Sequence, residues 1–251
     1  MNRPYTICHI LSALDGKITG AFMRTKAVQE VSGEYARIRT EYQADAWLYG
    51  TVTTKEFIKG RKPQLDFTAE VPDGDFIAEN HAALYYVSVD TQGEIGWESG
   101  TFCKPGRPDA HVIEVLTEQT PAAYRAYLRE RKVSYILAGE KLLDSKIAVE
   151  KLYRLFGIDT LLICGGGKVN WTFLQQGVVD ELSLVIAPAA DGNPDSVTVF
   201  EKSEFLPATV PVEFQLKNAE RLKGDGIHLN YTVNNSESEE GAGHETEKGK
   251  K

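Results

Sequence analysis

The chain has 251 residues, 42% of them hydrophobic and 25% charged, enough apolar material for one large core. A net charge of −8 leaves no global positive field for a phosphate backbone, which disfavours nucleic-acid binding but leaves room for a local basic pocket. Three cysteines, Cys8, Cys103 and Cys164, are an odd number at no regular spacing, which argues against a disulfide framework and against a zinc site. The amino terminus runs directly into a strand-like segment without a signal-peptide pattern, and no apolar run approaches the roughly 20 residues needed to span a bilayer. A cytoplasmic protein with no membrane or nucleic-acid partner and no metal is expected.

In chain order, strands are expected at Tyr5 to Ser12, Ala46 to Tyr49, Leu84 to Val89, His111 to Leu116, Tyr135 to Ala138, Thr160 to Cys164 and Leu182 to Ala187. A last pair, Val212 to Leu222 and Ile227 to Val233, is joined by Lys223-Gly224-Asp225-Gly226, a hairpin signal. Helical patterns lie between them. One follows Ser32 and carries Tyr35, Ile38 and Tyr42. A second follows an expected N-cap at Thr120, with Pro121 in the first helical position and Tyr124, Tyr127 and Leu128 on one face. Asp144-Ser145 can cap a third, with Ala148, Leu152, Leu155 and Phe156 at helical spacing. A fourth contains Val169, Phe173 and Leu174 and stops at Gly177. Strands alternating with helices imply an α/β protein with a mainly parallel sheet covered on both faces and an antiparallel hairpin at its end. Residues 1–233 read as one domain. Residues 234–251, NNSESEEGAGHETEKGKK, hold no aromatic or branched aliphatic side chain and read as a disordered tail.

Three segments could carry chemistry. Asp15, in Ser12-Ala13-Leu14-Asp15-Gly16-Lys17-Ile18, follows the first strand, at the edge where α/β folds bind ligands, although Asp-Gly is also an ordinary turn. Gly50 ends the second strand and is followed by the hydroxyls of Thr51, Thr53 and Thr54, which could cap a helix or hold a phosphate. Leu161 to Asn170 is the strongest signal: a buried strand ends in Gly165-Gly166-Gly167 and a helix starts at Lys168-Val169-Asn170. Glycines let a ligand reach the backbone and free N–H groups face its phosphates, yet the same run would serve a tight turn that only needs positive φ. The spacing fits neither the Rossmann fingerprint nor a Walker A loop. A zinc-deaminase signature, HExxH and a G-x-S-x-G elbow are absent. The histidines are scattered and read as structural or solvated. Hydride transfer survives these exclusions, because there a cofactor carries the reaction.

Taken together, Arg3-Pro4-Tyr5, Ser12 to Ile18, Arg39 with Ala44-Asp45-Ala46, Gly50-x-x-Thr53, Gly165 to Gly167, Gly177 to Leu182 and Ala187-Pro188 resemble the riboflavin-biosynthesis reductase family. The resemblance implies a dihydrofolate-reductase-like three-layer αβα fold and NADPH bound across Gly50, Thr53 and Gly165, Gly166, Gly167, Lys168, Val169 and Asn170. It also implies a 2′-phosphate near Thr91. The implied substrate is a ribosylamino-pyrimidine 5′-phosphate, reduced at the sugar C1′ to the ribitylamino form by a homodimer. Asp15 would orient substrate or relay a proton, and Arg39 would meet the substrate phosphate. Two positions depart from the family pattern. Cys164 stands at a substrate-binding position where relatives often carry Glu, and it reads as a small spacer behind the loop. Lys62-Pro63-Gln64-Leu65 is the nearest counterpart of an Asp-Pro-x-Leu segment. A pterin or dihydrofolate-type reductase on the same fold would want a first-helix carboxylate, Glu34 or Glu41, facing the pocket. A nucleotide-binding protein without turnover is the third reading.

Overall fold

The computed structural model describes residues 2–203, 206 and 209–234. The expected tail lies outside the described residues, apart from Asn234. Strand β1 (Tyr5–Ser12) is buried at every residue after Tyr5, as a central strand covered on both faces must be. The elements that follow are α1 (Lys26–Glu41), β2 (Ala46–Gly50), α2 (Thr51–Phe57), β3 (Tyr85–Val89), β4 (Thr101–Phe102), β5 (Ala110–Leu116), α3 (Ala122–Glu130) and β6 (Ser134–Leu137). The chain continues through α4 (Ser145–Phe156), β7 (Thr160–Ile163), α5 (Gly167–Gln175), β8 (Glu181–Ile186), β9 (Phe214–Arg221) and β10 (Ile227–Val233). The sheet order is β4-β5-β3-β2-β7-β1-β8-β10-β9, with β6 also on β5. The strands from β5 through β8 are mutually parallel, and β8-β10-β9 is antiparallel.

The period-2 alternation of each strand splits the core into two layers. Ile10, Leu48, Val87 and Ile163 pack beneath α4 and α5, through Ala148, Leu152, Phe173 and Leu174. Ile7, Trp47, Tyr49, Tyr86 and Leu162 face the opposite way, toward Tyr124, Tyr127 and Leu128 of α3. On that second face Leu11 and Val185 meet Val28, Val31 and Ile38 of α1. The result is the three-layer αβα arrangement, with a mainly parallel sheet and a closing hairpin, that the sequence implies.

Two boundaries differ from expectation. Helix α1 starts well before Ser32, because Val28 and Val31 extend its buried stripe and Thr25 caps it, accepting from the Val28 amide. Ser32 lies inside the helix and donates to Val28 O at 2.7 Å. Pro121, not Thr120, is the N-cap of α3; the Thr120 hydroxyl accepts from Thr117 N and donates to Thr91 O. Segment 58–84 is irregular apart from a bridge between Phe76 and Tyr135. Asp144 behaves as expected, accepting from the Lys146 and Ile147 amides.

Two of the motif pieces meet at the amino-terminal edge of the sheet, far from the strand ends that matter below. Arg3 makes two 2.7 Å bonds to the Asp180 carboxylate, which also accepts from Thr6 N. Asp45 Oδ2 accepts from the amides of Asp159 and Thr160.

A buried hydrogen-bond chain fastens α1 to the sheet. His9 Nε2 lies 3.1 Å from the carbonyl of Tyr35, so this nitrogen carries the proton and Nδ1 accepts. The Ser183 hydroxyl, 2.9 Å away, therefore donates to Nδ1 and accepts from His228 Nε2 at 2.8 Å. The His9 ring stacks on Tyr35 with centroids 4.3 Å apart. Burial lowers the His9 pKa from 6.5 to about 3. Below the ordinary value the unfolded chain takes up a proton that the folded chain refuses, so stability present at neutral pH is lost as pH falls through that window. Denaturant titrations from neutral to mildly acidic pH should show His9 contributing a slope of about 1.4 kcal/mol per pH unit. His9→Gln should flatten the profile by that amount; an unchanged slope would mean the folded ring takes up its proton freely.

Candidate active site

The carboxyl ends of β2 and β7 lie side by side and leave the sheet together. Cys164 N donates to Leu48 O at 2.8 Å, and Gly50 N donates to Gly165 O at 3.2 Å. The glycine turn then rises from the sheet edge into α5. Gly165 and Gly166 have φ of 132° and 97°, values that L side chains rarely adopt. Gly167 has a different reason: a Cβ there would sit 2.4 Å from Thr198 O. Gly50 is similarly confined, since its Cβ would fall 2.9 Å from Val169 Cγ2.

The space above the turn is open. A Cβ at Gly165 would meet nothing within 4 Å, and one at Gly166 would meet nothing nearer than 3.9 Å. No side chain caps α5 and no acidic residue lies in its first turn, so the amides opening the helix face outward with Lys168 beside them. Next to the turn lies a cavity of about 320 Å³, lined by Thr91, Gln92, Lys141, Lys168, Val169 and Thr172 among others. A dinucleotide's charged groups fit this donor set: backbone that can be approached closely, a free helix start and two lysines. Among the described residues neither lysine is in a salt bridge.

A strap formed by residues 187–201 closes over the turns that follow β1 and β7. Leu14 N bonds Ala189 O, Ile18 N bonds Val197 O, Val199 N bonds Gly16 O and Glu201 N bonds Gly167 O. Asp15 is exposed, and its Oδ2 accepts from the amides of Asp191 and Gly192, which hold the carboxyl below its ordinary pKa. Asn170 is fully buried; its amide donates to Val199 O at 2.8 Å while Oδ1 has no partner.

On the opposite face of β2 and β7, Cys164 sits beside Tyr35 and Tyr49. Burial raises its thiol pKa, opposed by the charges of Arg39 and Arg107. The thiol is thus protonated at neutral pH and behaves as a small half-buried neighbour rather than a nucleophile. Arg39 is buried, with its guanidinium 4.3 Å from the Trp47 ring centroid. Glu34 and Glu41 are drawn to Arg37, at 3.0 and 2.5 Å, and the charges of Arg37 and Glu41 are felt by His228 on β10, away from Arg39.

Of the sequence-derived candidates, Gly50, Gly165, Gly166, Gly167, Lys168 and Val169 come together, and Thr91 joins Lys168 and Val169 across the cavity. Thr53 is half-buried in the first turn of α2. Arg39 and Cys164 meet on the other face, Asn170 turns to the strap, and Asp15 is exposed and bonded to the strap. Sequence reasoning missed Lys141, Tyr49 and Arg107. Nothing local distinguishes Lys141 or Arg107 from solvated surface cations, and Tyr49 reads only as a strand residue.

A sequence model of the RibD C-terminal domain matches residues 4–229. The chain belongs to the RibD C-terminal domain family. A relative from Methanothermobacter thermautotrophicus, a 2,5-diamino-6-ribosylamino-4(3H)-pyrimidinone 5′-phosphate reductase, is 26% identical over 235 residues, covering 92% of this chain and 99% of the relative. One of the same name from Archaeoglobus fulgidus is 25% identical over 209 residues, 81% and 89% of the two chains. Among solved structures, a pyrimidine reductase-like protein from Corynebacterium diphtheriae superimposes with a TM-score of 0.65 at 17% identity, covering 92% of each chain. The riboflavin biosynthesis reductase of Saccharomyces superimposes at 0.58 and 17% identity, over 93% of this chain and 91% of that one. These superpositions agree with the family's fold, and the family match spans β1, the glycine turn and most of the closing hairpin.

The close contact at Gly167 makes a testable point about this loop. Gly167→Ala should lower stability by about 1–3 kcal/mol in urea unfolding, as overpacking against Thr198 O forces the strap outward. An unperturbed midpoint would mean that the strap yields without cost.

Proposed function

We propose that the protein is an NADPH-dependent reductase of the riboflavin-pathway type, one domain over residues 1–233, acting as a cytoplasmic homodimer. Its substrate in this reading is a ribosylamino-pyrimidine 5′-phosphate, converted to the ribitylamino form. The observation that carries the proposal is the open backbone cradle at Gly165 and Gly166 in a chain of the RibD C-terminal domain family. The names of the archaeal relatives support the substrate class. The two unpaired lysines at the cavity support a cofactor with an extra phosphate, which favours NADPH over NADH.

Reduction adds a hydride at C1′ of the ring-opened sugar and a proton at the adjoining nitrogen. The bound cofactor supplies the hydride. The chain's part is binding and orientation: the glycine turn and the start of α5 receive the pyrophosphate, and Gly50 and Thr53 border the same cleft. Arg39 meets the substrate phosphate from the α1 face. Asp15, kept ionised by two backbone amides, orients substrate or accepts a proton; at neutral pH it has no proton of its own to give. A pterin-type reading lacks its carboxylate, because Glu34 and Glu41 serve Arg37 on another side of α1.

Fluorescence titration with NADPH and NADH tests the cofactor assignment. NADPH should bind at least tenfold more tightly than NADH, and Gly166→Asp should weaken it roughly a hundredfold through lost space and added negative charge. Equal affinities or an indifferent Gly166→Asp would sink the assignment, and NADPH bound without consumption of the pyrimidine phosphate would favour a binding protein. Asp15→Asn can still accept from the 191 and 192 amides, so it isolates the charge. Its kcat should fall by about tenfold or more, with NADPH affinity within about twofold of the parent. Equal losses in both would make Asp15 a structural turn residue.

A further inference from the structure

Three cations converge on one aromatic wall behind Cys164. Arg39 is only 7% exposed, and its Nε is buried with no partner. Arg107, from the loop between β4 and β5, donates to Tyr49 Oη at 2.7 Å and lies over Phe57, with 4.9 Å to the ring centroid. Lys104, from the same loop, holds its ammonium 3.4 Å from the Phe57 centroid. Arg39 and Arg107 share the Trp47 ring, at 4.3 and 5.8 Å. Among the described residues none of the three forms a salt bridge.

Like charges gathered in a partly desolvated place repel one another, and ring faces compensate only in part. The repulsion is felt at Lys104, whose ammonium is made easier to deprotonate by burial first and then by the charges of Arg107 and Arg39, against the opposing charge of Glu56. Two forked guanidinium groups and one ammonium, with no salt bridge and only the Glu56 charge felt at Lys104, match a doubly charged phosphate monoester, which accepts from several donors at once. The place also suits the reaction. Cys164, which feels both arginines, immediately precedes Gly165, so the cations and the dinucleotide cradle flank the same strand end from opposite faces.

We propose that Lys104 and Arg107, on the β4–β5 loop, complete with Arg39 the site for the substrate's 5′-phosphate, and that this loop makes the enzyme select phosphorylated over dephosphorylated substrate. The inference rests on the reductase reading for the identity of the phosphate ester, but not for the presence of an anion site. Arg107 is the specificity-determining residue, because its fork is oriented by Tyr49 while Lys104 adds charge.

The test uses the whole chain and the variants Arg107→Met and Lys104→Met, which keep the aliphatic stems on the rings. With the ribosylamino-pyrimidine 5′-phosphate and saturating NADPH, Arg107→Met should raise KM roughly 10- to 100-fold, with kcat within about threefold. Lys104→Met should give a smaller rise. Discrimination against the dephosphorylated substrate should shrink by the same factor as KM rises, while NADPH affinity stays at the parent value and certifies the fold. Arg107→Met with unchanged KM and discrimination overturns the proposal. A parent protein that does not reduce the pyrimidine phosphate overturns the reductase reading instead. The anion site is then judged by isothermal titration with ribose 5-phosphate and inorganic phosphate: binding to the parent that is lost in Arg107→Met upholds it, and no binding to the parent refutes it.

Discussion

Two backbone hydrogen bonds, Cys164 N to Leu48 O and Gly50 N to Gly165 O, couple the exits of β2 and β7 and so decide where everything else at this edge can be. With the exits coupled, the chain has to climb out of the sheet within two residues before α5 begins. That demand accounts for positive φ at Gly165 and Gly166 and for the missing side chain at Gly50, where Val169 already fills the space. The same coupling puts Cys164 on the α1 face while the glycine amides rise toward α5. One strand end thereby serves two chemically different surfaces: an open cradle of backbone donors above, and an aromatic wall carrying cations below.

Supports around this strand end are polar and buried, which raises their cost and their specificity together. Asp90, directly after β3, accepts from the Glu94 and Ile95 amides and from Tyr124 Oη, shaping the turn that carries Thr91 and Gln92 to the cavity. Its neighbour Glu114 on β5 accepts from Trp97 and is wholly buried, and both carboxyls are shifted upward, chiefly by burial. The charge of Asp90 adds to the rise at Glu114, because two negative charges in one apolar layer are disfavoured. On the other side the strap ties Asp15, the glycine turn and Asn170 into one hydrogen-bonded unit, so a movement at any of them is felt by the other two.

Much of this was legible beforehand, for definable reasons. The strands carry strong β-branched runs, and Asp144 and Gly157 mark the limits of α4 with local chemistry that needs no tertiary partner. The glycine turn was legible as a place where backbone is exposed, because three consecutive glycines have few other uses. The first two turns of helix α1 are not legible in the sequence, because the stripe of Val28 and Val31 becomes evident only against Leu11 and Val185. Thr120 has the local chemistry of a cap, but its hydroxyl bonds Thr91 O on a different loop. Arg3, Asp45 and Asp180 sit within the motif pieces, yet their bonds hold the opposite edge of the sheet.

The sequence by itself determined the class of fold, the position of the glycine turn and the family, because periodicity, turn chemistry and ordered motifs are properties of neighbours along the chain. Only the tertiary structure decided which charges meet. Arg39, Lys104 and Arg107 are separated by as many as 68 positions in the sequence, and each alone is an ordinary cation. Their significance comes from sharing the rings of Trp47 and Phe57 without a salt bridge, because the helix that crosses from β1 to β2 and the loop of the antiparallel β4–β5 hairpin reach the same face of the sheet.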